Sequence, residues 1–187
     1  MDVKYQQLED LVRTRYANVA WTHKIHEKQA EIHDHWYSTL AIINIVAASI
    51  TSAGIVSLIF ADQTWLKIVS AAVSFVTIFI SALLKSFDLQ SMAKANKATA
   101  TKLVVIRDDL QTLILKIRQG EKSIVELTEE FEDLQKQVHA AYQDAPKTGD
   151  RAVKKAGVAL KVNQDNTFSD AEIDMMLPDS LKRSVVK

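Results

Sequence analysis

The sequence has no cysteine and few of the residues that interrupt helices. The absence of cysteine excludes disulfides and thiolate chemistry. Four glycines and two prolines among 187 residues disfavour a sheet with many turns and favour long helices. Lys plus Arg and Asp plus Glu both number 23, so the formal net charge is zero. A neutral chain has no overall field that attracts nucleic acid, and we expect no nucleic-acid partner.

Recognisable catalytic and cofactor motifs are also lacking. The sequence contains no glycine-rich phosphate loop, no nucleophile elbow and no zinc-protease helix. Paired carboxylates such as Asp108–Asp109 and Glu129–Glu130 lie in strongly charged stretches, which is typical of a solvated helix surface. The first residues lack a basic stretch followed directly by an apolar run, so a cleaved signal peptide is not expected. The sequence predicts neither an enzyme nor a bound cofactor.

Two long uncharged runs are the strongest feature of the sequence. Trp36–Ala61 holds 26 residues without a charge, and at about 1.5 Å per residue this run exceeds the ~30 Å hydrocarbon core of a bilayer. Ile68–Leu84 adds 17 residues and becomes long enough to span when the amine of Lys67 reaches the interface. A buried hairpin in a soluble protein is disfavoured because the first run is too long for an ordinary core helix. The predicted transmembrane hairpin occupies residues 36–84, with spans at about 38–60 and 64–84.

Lysines near the spans predict the orientation of the hairpin. The side of the hairpin with the short loop carries Lys67 alone. The other ends of the spans are flanked by six lysines, Lys24, Lys28, Lys85, Lys94, Lys97 and Lys102. Because positively charged flanks stay on the cytoplasmic side, we predict that both termini are cytoplasmic and that residues 1–35 form an N-terminal cytoplasmic helix.

A heptad pattern continues beyond the second span and predicts a cytoplasmic helical hairpin over residues 85–145. Gly120 interrupts the pattern, and Ser123 with Glu126 forms a capping-box signal that starts a second helix, expected to fold back on the first. Residues 146–187 are predicted to be a basic linker and a short C-terminal helix. We also predict a homo-oligomer, held partly by a seam of five residues: Leu103, Ile106, Leu110, Leu113 and Ile117. The predicted fold is therefore an all-α membrane protein whose transmembrane hairpin continues into a helical bundle or coiled coil.

Hydroxyl side chains follow one face of the second span. They repeat at intervals of three and four residues with a lysine at each end, in the series Lys67, Ser70, Ser74, Thr77, Ser81 and Lys85. The opposite face is apolar and includes Val69, Val73, Val76 and Ile80. Two interpretations stay open. The hydroxyl face lines a conduit in an oligomer, or its small side chains let another helix pack closely.

The first span carries polar and small residues of its own. Ser49, Ala53 and Ser57 form a small-residue line predicted to pack against a helix in the membrane. Asn44 is the most polar residue at depth. Its amide is expected to hydrogen bond across the helices, because an unpaired amide in hydrocarbon costs several kcal/mol.

Three histidines lie near one face of the N-terminal helix. His23, His26 and His33 have Glu27 and Glu31 close by in the sequence, and imidazole and carboxylate groups at such spacings bind metal or respond to pH. The same pattern is also typical of a polar interfacial helix that merely tolerates histidine. No zinc template matches, so we predict no metal.

The order of these features resembles the SLATT family of bacterial two-span effectors, which are named for their association with nucleotide-synthesising and nucleotide-sensing partners. Two spans with a minimal loop precede a long helix, and the Gln119–Gly120 break precedes the Ser123 helix start. The series ends with Asp144-Ala145-Pro146 and then Asp170-Ala171-Glu172-Ile173-Asp174 before Leu177-Pro178. The resemblance covers almost the whole chain.

The resemblance implies a bacterial inner-membrane protein of an antiphage or conflict system. Family members are proposed to form pores that disrupt the membrane, and a nucleotide-sensing or nucleotide-synthesising partner would supply the signal. The alternative is a membrane anchor or scaffold that does not conduct and recruits a cytoplasmic partner. The bilayer and further copies of the chain are the other expected partners.

Overall fold

A computed structural model of the chain describes residues 2–60, 63–165 and 167–183, with the backbone alone for residues 57–60. These residues form six α-helices, one short 3-10 helix and no strand, which confirms the predicted all-α fold. The α-helices are α1 (Val3–Phe60), α2 (Thr64–Phe87), α3 (Leu89–Gln119), α4 (Ile124–Gln143), α5 (Asp150–Lys161) and α6 (Asp170–Met176), and the 3-10 helix is Asp179–Leu181.

The first helix joins the predicted cytoplasmic and transmembrane segments without a break. It has 58 residues and is therefore about 87 Å long. No glycine or proline occurs in it before Gly54, so nothing in the sequence interrupts the helix at residue 35, where the N-terminal segment was predicted to give way to the first span. α1 is a single rod that connects the bundle to the hairpin.

α1 pairs in antiparallel fashion first with α2 and then with α3. Gly54 lies against Ser70, Asn44 bonds Ser81, and further along the rod His26 bonds Asn96. At the far end the buried carboxylate of Glu9 accepts two hydrogen bonds from the guanidinium of Arg118, at 2.8 and 2.9 Å. The pairing therefore keeps one register along almost the entire rod.

The two helices that pair with α1 are separated by a break at Asp88, between α2 and α3. Asp88 has φ 36° and ψ 50°, a left-handed conformation that is uncommon for residues other than glycine and is tolerated best by Asp and Asn. Its carboxylate accepts the backbone N–H of Ser91 at 3.2 Å and caps α3. The break separates the transmembrane helix from the bundle helix.

Two further helices cover the rod in succession. α4 covers the part far from the hairpin, where the Tyr5 hydroxyl donates to the carbonyl of Lys122 and the Tyr142 hydroxyl donates to Thr22. The capping box that the sequence predicts at Ser123 is present at the start of α4. α5 then covers the part nearer the hairpin, since the backbone N–H of Gly149 donates to the side chain of Gln29 at 2.9 Å.

The core of the bundle corrects the predicted oligomer seam. All five seam residues on α3 are buried within a single chain, against the apolar face of α1 and the seam of α4. Their neighbours in this core are Leu8, Val12 and Val19 of α1 and Leu127, Phe131, Leu134, Val138 and Ala141 of α4. A heptad pattern defines an apolar face but not the chain that covers it. The seam is intrachain core, and it is not available to other copies.

The predicted basic linker also differs from the structure, because most of it is helix α5. Ala152, Ala156 and Ala159 are spaced by four and three residues and are buried, and the first two pack with Ile25 and Trp21 of α1. Alanine buries little apolar area, so a face made of alanine gives a weak hydrophobic signal in the sequence. The basic side chains lie on the other side of this helix.

Two helices are long and apolar enough to cross a membrane by length and composition, one from α1 and one from α2. Only 6% of the most apolar window of each is buried within the chain. A core helix of a soluble protein would be mostly buried, so the exposure supports a hairpin that is solvated by lipid.

Candidate functional site

The two spans meet along a line of small and polar residues. Ala47 of α1 and Ile80 of α2 are buried in this line, and Thr51 and Gly54 of α1 are half-buried. Small residues at a helix contact let the backbones approach closely, which is how helices associate in a bilayer. The contact brings much of the predicted hydroxyl face of α2 toward α1.

Asn44 and Ser81 form a pair of hydrogen bonds across the two spans. The amide nitrogen of Asn44 donates to the Ser81 hydroxyl at 3.1 Å, and the hydroxyl donates to the amide oxygen of Asn44 at 3.3 Å. The predicted cross-helix hydrogen bond of Asn44 is therefore confirmed. The same contact engages Ser81, which was assigned to the conduit, with the first span of its own chain.

A second close contact joins Gly54 and Ser70. A Cβ atom added at Gly54 would lie 2.5 Å from the Ser70 hydroxyl oxygen and 3.6 Å from the Ser70 Cβ. Only glycine allows this approach without a shift of the serine. Ser70 is thus also turned toward α1.

The two middle hydroxyls of the face bond to their own helix. Ser74 donates to the carbonyl of Ser70 at 2.8 Å, and Thr77 donates to the carbonyl of Val73 at 3.0 Å. Both side chains are half-buried. Ser74, Thr77 and Ser81 thus each donate a hydrogen bond within the described part of the chain, so these three hydroxyls do not require water.

The apolar face of α2 opposite the hydroxyl face points only partly away from α1. Val69 and Val76 are exposed, whereas Val73 is half-buried and Ile80 is buried toward α1. The contact with α1 is centred between the two predicted faces, because packing of two helices follows a heptad line that the hydroxyl and valine residues share. Lys67 and Lys85 lie on the exposed surface at opposite ends of α2.

The small-residue line of the first span faces away from the second span. Ser49 and Ala53 are exposed, and the Ser49 hydroxyl donates to the carbonyl of Ile45 at 2.8 Å. The side chain of Ser57 lies outside the described residues. The line that meets α2 lies two to three residues earlier in the sequence, at Ala47, Thr51 and Gly54, and the assignment of Ser49 and Ala53 to that contact is corrected accordingly.

A buried polar layer joins α1 to α3 just outside the hairpin. His26 donates from Nδ1 to the side-chain oxygen of Asn96 at 2.9 Å, and the Asn96 amide donates to the carbonyl of Met92 at 2.9 Å. His23 donates from Nδ1 to the carbonyl of Ala100 at 2.9 Å. The sequence showed the histidine face of α1 and the polar heptad positions Asn96 and Thr99 of α3 separately. Pairing these two faces would have predicted this layer.

Burial sets the protonation of two of the histidines. Burial lowers the pKa of His23 below its ordinary value, against the opposing effects of the Ala100 hydrogen bond and the Glu27 carboxylate. Burial also lowers the pKa of His33, whose Nε2 lies 2.8 Å from the side-chain nitrogen of Gln29. Since burial in low dielectric disfavours the charged form, both rings favour the neutral state at neutral pH.

A buried cation lies beside this layer. The Lys24 amine is almost fully buried and forms ion pairs with Glu27 at 2.9 Å and with Asp165 at 3.5 Å. Asp165 belongs to the segment after α5, so this pair ties the end of α5 to the rod. Among the side chains that the structure describes, no three His, Asp or Glu groups are placed to hold a metal ion.

Comparison with known proteins identifies one family. The family described as SMODS and SLOG-associating 2TM effector domain family 4 has a sequence model that matches residues 8–172 of the chain. No curated protein and no solved structure gives a significant match. The matched segment runs from the N-terminal half of α1 through both candidate spans, the bundle and α5 into α6.

Proposed function

Since the chain belongs to family 4 of the SMODS and SLOG-associating 2TM effector domains, a SLATT family associated with conflict systems, we propose that it permeabilises the membrane as a homo-oligomer. Two spans cannot enclose a conduit, so several copies must assemble. The described conformation is the closed state of this proposal. The proposed location is the bacterial inner membrane, with both termini in the cytoplasm as the lysine distribution predicts.

The observation that carries the proposal is the packing of the hydroxyl face against α1. Ser70 and Ser81 contact the first span, while Ser74 and Thr77 lie half-buried beside it. A face whose four hydroxyl residues contact α1 or lie half-buried beside it in one chain becomes more available to water when the spans separate. In the open oligomer these hydroxyls line the conduit, with Lys67 and Lys85 at its two ends.

The architecture supplies a route from the bundle to the spans. α1 is continuous through both, so a movement of its bundle half is transmitted to the first span. The helical conformation is interrupted at Asp88, between α2 and α3. The second span can therefore change its angle relative to α3 without unfolding the bundle. In the proposal, a nucleotide-sensing or nucleotide-synthesising partner acts on the bundle and releases the second span from the first.

A disulfide lock tests whether the spans must separate. The chain has no cysteine, so the pair Gly54→Cys with Ser70→Cys introduces the only thiols. The Cβ positions are 3.6 Å apart, within the range of about 3.5–4.5 Å that a disulfide requires. The variant is reconstituted in vesicles at a high protein-to-lipid ratio, where mass action favours assembly without the partner, and release of a trapped dye is measured.

The oxidised variant is expected to retain the dye, and the reduced variant is expected to release it at the rate of the natural chain. The two single-cysteine variants serve as controls, since neither can close the lock. Equal release in the oxidised and reduced states would contradict the opening of the hairpin. No release by the natural chain would contradict permeabilisation altogether.

Substitutions in α2 test the lining itself. Ser74→Leu with Thr77→Leu is expected to preserve insertion and to stop release by creating a dry constriction. The matched control is Val69→Leu with Val76→Leu, because both valines are exposed on the same helix. If the two pairs behave alike, the hydroxyl face does not line the path.

A second candidate function is an anchor that does not conduct and holds the bundle at the membrane for a cytoplasmic partner. The reciprocal Asn44–Ser81 hydrogen bonds favour it, because they satisfy the Asn44 amide within one chain and stabilise a closed hairpin. The dye-release measurement on the natural chain separates the two functions.

A further inference from the structure

The C-terminal segment 167–183, here called the tail, is largely exposed. None of its described residues is buried, and its helix α6 has only seven residues. Ser169 and Glu172 form a capping box, and Arg183 forms an ion pair with Asp170, so the tail has a defined local structure. A helix of this length is not stable in water on its own. The tail therefore needs a surface that the described contacts of its own chain do not provide.

The side chains of the tail indicate what that surface must be. The tail exposes large apolar side chains, with Met176 64% exposed and Phe168, Met175 and Leu181 exposed to a similar or greater degree. Its charged residues are four acids and two bases, a net charge of −2 for residues 167–183. An anionic membrane surface repels such a segment. A complementary surface is both apolar and basic.

The outer face of α5 has this combination. While the alanines of α5 pack on α1, Arg151, Lys154 and Lys155 point away from the rod and are exposed. Val158 is 51% exposed one turn after Lys154, and Val162 follows one turn later. Residues four apart share a helix face. The face, here called the basic face of α5, borders an open cleft of about 380 Å³ that is also lined by Lys28, Glu31 and Asp165.

The tail of the same chain does not cover this face, since Val158 and α6 are both exposed. The chain leaves α5 at Asp165, which is held by the Lys24 amine and by a backbone hydrogen bond to Ala159. An extended chain from Asp165 to the start of α6 reaches roughly 17 Å. That reach exceeds the distance of about 8–10 Å between the axes of packed helices, so the tail can reach a neighbouring molecule.

We propose that the tail of one copy docks on the basic face of α5 of a second copy, with the acidic residues of α6 near Lys154 and Lys155 and its apolar side chains on Val158. The inference rests on the homo-oligomer of the proposed function and does not depend on conduction. It places the contact between copies outside the buried α3 seam. The copies are then joined through α5, the helix that packs on α1.

Cross-linking between two cysteine variants tests the docking. One chain carries Val158→Cys, the other carries Met176→Cys with a different tag, and the two are expressed together in the membrane. Mild oxidation is expected to give a disulfide-linked heterodimer. The control pairs Met176→Cys with Leu11→Cys, an equally exposed position near the far end of α1, and should give only background cross-linking.

Charge reversal and a size measurement complete the test. Adding Lys154→Glu and Lys155→Glu to the Val158→Cys chain is expected to lower the heterodimer yield roughly tenfold, whereas Lys→Arg at both positions preserves it. A yield equal to that of the Leu11 control, or insensitive to charge reversal, overturns the docking. So does a chain carrying both cysteines that closes only an intrachain disulfide.

The size of the natural chain in detergent distinguishes the two levels of failure. If the cysteine pair does not cross-link and the natural chain is nevertheless an oligomer, the docking is refuted and the proposed assembly stays intact. A monomer refutes the assembly and the docking together.

Discussion

Replacing Leu110 by alanine is expected to destabilise the bundle without changing the size of the assembly. Leu110 is 0% exposed in the core formed by α1, α3 and α4. Truncation of a fully buried leucine costs about 2–5 kcal/mol, because it removes transfer free energy and leaves a cavity. For a chain of this length such a loss lowers the melting temperature by roughly 4–20 °C.

The matched control is Leu115→Ala on the same helix. Leu115 is 53% exposed, and truncation at such a position changes stability by only about 0.5 kcal/mol. Thermal unfolding of both variants is followed by far-ultraviolet circular dichroism in detergent, at low and at high protein concentration. The loss in Leu110→Ala should be the same at both concentrations, since its partners belong to the same chain.

Two results would refute the intrachain assignment of this seam. One is a Leu110→Ala variant that melts like Leu115→Ala. The other is a loss of stability that diminishes as the protein concentration rises, together with a smaller assembly, since the seam would then join separate copies.

Three further predictions concern pH, glycine and topology. Burial lowers the pKa of His23 below its ordinary 6.5, so the contribution of His23 to stability is fully present above about pH 6.5 and is lost as the pH falls through the folded-state pKa. Denaturant unfolding at a series of pH values should show this dependence of the unfolding free energy on pH, and His23→Gln should flatten it. An unchanged dependence in His23→Gln speaks against the assignment. Gly120→Ala is expected to cost about 1 kcal/mol, because Gly120 has φ 67°. Gly157→Ala should stabilise the chain by about 0.5–1 kcal/mol, since its new Cβ would lie 3.6 Å from the Trp21 ring in ordinary contact, and changes of equal sign in the two variants would contradict this comparison. Reporters fused after residue 187 and inserted between residues 61 and 62 should report a cytoplasmic C-terminus and an external loop, and an external C-terminus would overturn the predicted orientation.

The hairpin of α1 and α2 and the polar layer have one physical feature in common. Each buries polar groups in pairs that the chain itself supplies, Asn44 with Ser81 in the spans and His26 with Asn96 in the bundle. A buried polar group that loses its partner costs about 1–3 kcal/mol. Both layers therefore disfavour other registers of α1, and separation of the spans requires new partners such as water or another copy.

Local signals in the sequence were sufficient to identify the two spans, the helices α3 and α4 and several helix ends, but not α5. The long uncharged run beginning at Trp36 identifies a span because the length and polarity of a segment alone decide whether it can enter hydrocarbon. The helix starts at Ser123 and Ser169 depend on hydrogen bonds between residues three positions apart, so the sequence reveals them directly. The same holds for the break at Gly120, where a left-handed residue ends α3.

The partner of each helix face was decided only by the tertiary structure. The heptads of α3 predicted an apolar face at Leu110, but that face is covered by α1 and α4 of the same chain rather than by another copy. The hydroxyl face of α2 was visible in the sequence, whereas its contact with Asn44 and Gly54 depends on the register of two helices that are distant in sequence. Periodicity specifies which residues share a face, and the packing of the whole chain determines what that face meets.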